Sequence, residues 1–244
     1  MPEKIKHILA GVGVALGTLY IVWGLTLVKS RRGELPCAKF DVVVTDSADL
    51  SFISRAGIRR YVALSGNDPT GRAMSEVNTD VIEHLLDDNP MIRSAQCYKT
   101  NGDRVLLKIK QRKPKFRVMG DVNYYVDTER QIMPVSTEYS AYVPVVTGVS
   151  DHSLAQTVVY DFVDYITGDE FWDAQVEQIA VSPDTTITLV PRVGNHVIIL
   201  GKPVRIKQKL AKMMTLYEKG FTIAGWPDYK TIDLRIRNQI ICKK

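Results

Sequence analysis

Apolar positions change their spacing along the chain, and each change predicts a different kind of element. From 8 to 28 all 21 residues are uncharged, with Lys4, Lys6, Lys29, Arg31 and Arg32 on the flanks. At 1.5 Å per residue this run predicts a helix of about 30 Å, the thickness of a bilayer's hydrocarbon core. After it, helical and alternating spacings take turns. A β-branched run predicts a strand over 40–44. Ile53, Ile58 and Val62 recur at helical spacing within a predicted helix over 52–64, with Ser54 as N-cap. Asn78 or Thr79 caps a second helix with Val81, Ile82, Leu85 and Leu86 on one face, ended at Asn89-Pro90. Strands over 92–100 and 104–111 follow, joined at Asn101-Gly102, a strong hairpin signal. Neither helix is long enough to be stable alone, so both must lay their apolar faces on the sheet.

From Pro114 onward the pattern predicts mostly strands. A hairpin over 123–126 and 131–133 turns at Asp127-Thr128-Glu129-Arg130, and a strand over 142–147 stops at Gly148. A helix over 153–166 turns Leu154, Val158, Phe162 and Val163 or Ile166 inward. Strands over 178–182, 185–191 and 196–200 come next, the last two turning at Val193-Gly194-Asn195. Pro203 opens a helix to Tyr217 with Ile206, Leu210, Met213 or Met214, and Tyr217 inward. Strands over 229–237 and 239–242 close the pattern. The shift at Lys113-Pro114 is the predicted domain boundary.

Composition sharpens the first element. The run at 8–28 exceeds the roughly 7–15 residues of a signal-peptide core, and no small-x-small cleavage site follows it. Leu35-Pro36-Cys37 is a poor lipobox, with proline directly before the cysteine. An uncleaved anchor is therefore expected. Gly13 and Gly17 form a weak GxxxG. Basic residues at the two ends are nearly balanced, so charge alone does not orient the span. Residues 1–33 hold five Lys or Arg and one acid; the other 211 residues hold 27 basic and 26 acidic side chains. A nearly neutral body argues against nucleic acid as a partner.

Candidate chemistry is sparse. His84, His152 and His196 belong to no HExxH or HxH pattern, and no GxSxG, Walker A or GxGxxG occurs. Asp87-Asp88 and Asp169-Glu170 read as helix caps rather than an acid/base pair. Cys37, Cys97 and Cys242 have no zinc spacing. The chain is thus expected to be no enzyme and to use neither metal nor cofactor. Two basic clusters read as solvated faces: Lys108-Ile109-Lys110-Gln111-Arg112-Lys113, with Ile109 inward, and Lys202, Arg205, Lys207, Lys209 and Lys212 on the outer face of the late helix. The stretch 231–237 alternates, with Ile232, Leu234 and Ile236 on one face and Asp233, Arg235 and Arg237 on the other. Such a strand near the end of a sheet is expected to be an edge, which either is blunted by its charges or accepts a partner's strand.

The assembled order resembles the FtsQ/DivIB family of bitopic bacterial cell-division proteins. The stretch 82–96, with Leu85, Leu86, Pro90 and Ile92, looks like the family's LxxxPxVxxAxV. Gln111-Arg112-Lys113-Pro114 resembles its ERxP junction, Tyr125-Val126-Asp127 the xxD of the following hairpin, and Ile232-Asp233-Leu234-Arg235 its VDLRY. Three positions depart. Arg130 stands where the hairpin usually has glycine, Ile236 replaces the tyrosine of DLRY, and 238–244 lacks the family's partner-contacting tryptophan.

The resemblance implies an α+β protein. Residues 1–7 would be a cytoplasmic tail, 8–28 a single transmembrane helix, 29–36 a juxtamembrane linker, 37–112 a POTRA domain of β-α-α-β-β order, and 113–244 a mostly antiparallel β domain with flanking helices. It implies a scaffold at the division septum of the inner membrane, with the N-terminus cytoplasmic and the body periplasmic. The β domain would bind an FtsB/FtsL complex by strand addition, and the POTRA domain other divisome members. The residues that carry partner binding would be Lys230, Ile232, Leu234, Arg235, Ile236, Arg237, Asn238 and Ile240. An oxidised Cys37–Cys242 pair is conceivable in that compartment. The alternative is another POTRA-bearing protein that binds exported or outer-membrane polypeptides.

Overall fold

The computed structural model describes residues 13–24, 34–100, 102–149, 151–221 and 229–244. The chain divides into two compact units: one holds the residues up to Asp49 together with Ile53–Gln111, the other Leu50–Phe52 together with Arg112–Lys244.

In the first unit, alternation makes the strands and capping starts the helices. Strands β1 (Lys39–Val44) and β3 (Arg104–Gln111) bury every second side chain. Helix α1 (Arg55–Leu64) begins where Ser54 Oγ accepts from Gly57 N at 3.0 Å. Helix α2 (Thr79–Asp87) begins where Asn78 Oδ1 accepts from Asp80 N at 3.1 Å. Strand β2 (Ile92–Lys99) pairs antiparallel with β3, and β1 pairs with β3 in parallel, giving the order β1-β3-β2. Ile58, Val62, Ile82 and Leu86 from the helices meet Phe40, Val105, Leu107 and Ile109 in one core. Each side chain so buried contributes about 1.5–3 kcal/mol. Val81, expected on the inner face of α2, is 43% exposed. Phe52, expected in the first helix, instead packs edge-on against Tyr125 and Tyr139 in the second unit, with centroids at 5.6 and 4.7 Å.

The acids read as caps serve the fold. Asp87 Oδ1 accepts from Ala95 N at 3.0 Å, which ties α2 to β2. The Asp169 side chain caps the helix that follows it. Gln111 is buried because its amide is used on both sides: Oε1 accepts from Ile53 N at 2.9 Å, and Nε2 donates to Asp46 at 3.1 Å.

The second unit is one nine-stranded sheet. Its strands are β4 (Pro114–Met119), β5 (Tyr124–Asp127), β6 (Ile132–Pro134), β7 (Val145–Thr147), β8 (Val176–Val181), β9 (Ile187–Pro191), β10 (Val197–Gly201), β11 (Thr231–Asp233) and β12 (Ile241–Lys243). They lie in the order β12-β11-β10-β9-β8-β7-β4-β5-β6. The sheet is more mixed than expected. Of eight pairings five are antiparallel, while β4–β7, β7–β8 and β10–β11 are parallel. Parallel neighbours need a crossover, and helices supply two of them. Helices α3 (Tyr160–Thr167) and α4 (Glu170–Gln175) lie between β7 and β8, and α5 (Ile206–Thr215) lies between β10 and β11.

A short turn, His152–Leu154, and a wide turn, Ala155–Val159, lead into α3. The inner face runs through Ala155, Val159, Phe162, Val163 and Ile166. Val158 is one residue out of phase with it and 39% exposed. At the end of β7, Gly148 has φ 78°, and a Cβ there would sit 2.0 Å from the Val181 carbonyl oxygen, so only glycine fits.

Residues 13–24 are helical. Among the described residues no helix is long and apolar enough to cross a membrane. The rest of the expected 8–28 span, the tail 1–7 and residues 29–33 lie outside the described residues. Cys37, Cys97 and Cys242 are free thiols. Burial, chiefly, pushes the Cys97 thiol up to about 12, with Glu83 adding to the effect.

Candidate partner-binding surface

The expected strand over 229–237 ends at Asp233, and the cause is local. The Asp233 carboxylate accepts from Arg235 N at 3.0 Å, from its Nε at 3.0 and 3.1 Å, and from its Nη2 at 2.7 Å. This clasp turns the chain out of the ladder. It also holds the Asp233 carboxyl below the usual carboxylate range, chiefly through the side-chain hydrogen bond from Arg235. The turn is crowded against β10: Gly201 has φ 76°, and a Cβ there would lie 2.8 Å from Arg235 Cγ.

Beyond Leu234, whose N–H still reaches β10, residues 235–240 have no ladder partner of their own. Lys212, from the last turn of α5, replaces one. Its Nζ donates to the carbonyls of Leu234, Ile236 and Gln239 at 3.4, 2.7 and 3.2 Å. The chain then returns as β12, antiparallel to β11 with Ile232 opposite Cys242. The sheet edge on this side is therefore the short β12, not the alternating stretch.

The expected partner-binding residues divide by burial. Ile232 and Leu234 are fully buried core side chains, and Leu234 N donates to Ile199 O at 2.9 Å. Ile240 is half-buried against the same core. Lys230 is exposed, and its backbone N–H donates to Lys243 O at 2.8 Å. Arg235, Arg237 and Asn238 are exposed, and so is Ile236, at 45%. The structure thus gathers Arg235, Ile236, Arg237 and Asn238 on one protruding loop beside β12, while Ile232 and Leu234 hold that loop from beneath.

The basic residues of α5 are not all outward, as expected from their spacing. Lys209 is 6% exposed, with Nζ donating to Lys202 O at 2.7 Å, and Lys212 is half-buried over the loop. Their long alkyl stems lie along apolar surface, so only the ammonium needs polar partners. A shallow depression is lined by Arg205, Gln208, Lys209, Lys212, Leu234, Arg235 and Arg237. Desolvation first, then the Arg205 charge, lowers the affinity of Lys209 and Lys212 for their protons. Asp233 works the other way on Lys212. Lys209 and Lys212 carried no sequence signal beyond a charged helix face.

Elsewhere in the second unit, two residues singled out by motif meet. Arg112 Nη1 donates to the buried Asp127 Oδ2 at 2.9 Å, and Asp127 Oδ1 accepts from Glu129 N and Gln131 N at 2.8 and 2.7 Å. The junction and the hairpin are thereby one hydrogen-bonded unit. The surface offers chemistry for binding: a strand edge, an apolar side chain and several guanidinium and ammonium groups. His196 is buried with Nε2 2.9 Å from the Tyr217 hydroxyl, a core contact. Among the described residues no group of His, Cys, Asp and Glu is arranged to hold a metal ion.

Comparison with known proteins agrees with this architecture. A family profile described as "FtsQ/DivIB, C-terminal related" matches residues 113–243, more than half of the chain. A POTRA-like domain profile matches residues 35–110. The chain is 24% identical over 205 residues to a "Cell division protein FtsQ" of Syntrophotalea carbinolica, covering 78% of this chain and 70% of that protein. It is 25% identical over 140 residues to a protein of the same name from Myxococcus fulvus, covering 57% of this chain and 47% of that protein. With a POTRA-like unit followed by the matched β unit, the chain belongs to the FtsQ/DivIB family of cell-division proteins.

Proposed function

We propose that this chain is a membrane-tethered, non-enzymatic scaffold of the division machinery, and that it binds an FtsB/FtsL-like pair of bitopic proteins at the β12 edge. The observation that carries this reading is the loop of Arg235, Ile236, Arg237 and Asn238 held beside an unpaired strand edge. Strand addition supplies main-chain hydrogen bonds, and the loop side chains supply selectivity. An acidic partner segment suits the cationic depression next to it. The POTRA-like unit serves contacts with other division proteins.

The N-terminal run at 8–28 is proposed as the single span, with the tail 1–7 cytoplasmic, the body periplasmic and the protein at the septum of the inner membrane. Its support is the uncharged sequence and the exposure of its described part. Val14, Leu16, Leu19, Tyr20, Ile21, Val22 and Trp23 are each between 58% and 71% exposed, with no core among the described residues to cover them.

Photocrosslinking in living cells tests the binding site. A crosslinker at Ile236 is expected to capture a small bitopic coiled-coil protein, while one at Val158, on the exposed face before α3, captures none. Capture of exported polypeptides at Ile236 would favour the alternative POTRA function. Capture of the coiled-coil protein at Val158 alone would move the site.

A further inference from the structure

A second surface, in the middle of the sheet of the second unit rather than at its edge, has its own chemistry. An open cleft of about 300 Å³ lies between the irregular segment 140–144 and the β4, β7, β8 and α4 elements. That volume is at the lower end of small-molecule sites. Arg117, Ser140, Tyr142, Asp173, Glu177 and Arg192 bring its polar groups.

These groups are not committed to one another. Among the described residues, none of the two guanidinium groups and two carboxylates forms an ion pair. Arg117 Nη1 makes a long contact of 3.3 Å with Ser140 Oγ, and its Nε is buried with no acceptor. Arg117 lies over the Tyr125 ring at 5.7 Å, and Arg192 over the Tyr142 ring at 5.3 Å. Tyr142 is itself 86% exposed. Neither guanidinium has a carboxylate partner among the described residues, and a carboxylate that engages Nη groups forms charge-assisted hydrogen bonds with them. Two stacked arginines therefore suit a carboxylate, and two unpaired acids in the same cleft suit an ammonium. One ligand that satisfies both is small and carries both charges.

We propose that this cleft binds a free short peptide as a zwitterion, its carboxylate on Arg117 and Arg192 and its ammonium facing Asp173 and Glu177. Isothermal titration of the full chain in detergent micelles tests this with three probes: glycyl-alanine, its N-acetyl form and its C-terminal amide. Saturable binding of glycyl-alanine is expected, with each capped probe about tenfold weaker, the cost of one lost charge-assisted contact. Arg117→Gln should weaken glycyl-alanine and the N-acetyl form alike, and Asp173→Asn with Glu177→Gln should erase the penalty of acetylation. Arg192→Gln, on an exposed side chain, serves as the anion-side variant if Arg117→Gln fails to fold. No saturable heat, equal binding of all three probes, or undiminished binding in both arginine variants would overturn the assignment.

Discussion

At φ 64° Arg130 occupies the left-handed region, where the resembled hairpin has glycine. For a residue with a Cβ this costs about 1–2 kcal/mol. The side chain offsets it. Nη2 lies 2.6 Å from Asp161, Nη1 donates to Gln156 O at 3.0 Å, and the guanidinium covers the Tyr160 ring at 4.1 Å. Arg130→Ala removes those contacts and keeps the strain, so chemical denaturation should show a loss of about 1–2 kcal/mol. Arg130→Gly should recover about 1 kcal/mol relative to the alanine variant. Lys212 is the other decisive residue. Lys212→Met leaves three carbonyls of the loop without their donor. A loss of about 1–3 kcal/mol is expected, with faster amide exchange over 234–240. His196 sets a pH dependence. Burial lowers its proton affinity below the ordinary 6.5, so the unfolded chain binds the proton more readily than the folded one. Stability is full above 6.5 and falls as pH drops toward the folded value. A His196→Gln variant should lose that part of the slope in denaturation measured across this range.

Among the elements, what was legible in sequence followed from local rules. Ser54 and Asn78 are caps by residue type, and β1 and β3 follow from period-two burial, whereas β2 changes phase at an irregularity between Ile92 and Ser94. Where long-range contacts overrule the pattern, sequence reading stops early. The alternation over 231–237 is real in the residues, yet the Asp233–Arg235 clasp and a lysine from a distant helix end the strand after three positions. Strand β4 passed unmarked although Phe116 and Val118 alternate with Lys115 and Arg117, because Pro114 at its start reads as a break. Lys209 looked solvated because a helical wheel does not show that its ammonium can reach back to Lys202 O. The consequence for binding is specific. Ile236 lies outside the core, so Ile236→Asp should change stability by no more than about 0.5 kcal/mol. It should still abolish capture of the proposed FtsB/FtsL-like partner in a co-purification. Leu234→Ala, a fully buried side chain, should cost about 2–5 kcal/mol and disturb binding only through the fold.

For the whole molecule, the two units carry separate cores, so damage in one should leave the other folded. The sheet of the second unit has two edges, and they are unlike. At one, β6 ends in Pro134, which has no N–H to offer a further strand. At the other, β12 has no outer strand partner among the described residues and stands next to the cationic loop. A scaffold needs such an edge rather than a catalytic pocket, and membership of the FtsQ/DivIB family is in keeping with that role. The most direct test is amide hydrogen exchange on the full chain with and without an FtsB/FtsL-like complex. Strand addition predicts new protection concentrated at 241–243 and spreading to 235–238, with β6 unchanged. Protection confined to β6 or to the first unit, or none at 241–243 at saturating partner, would contradict it.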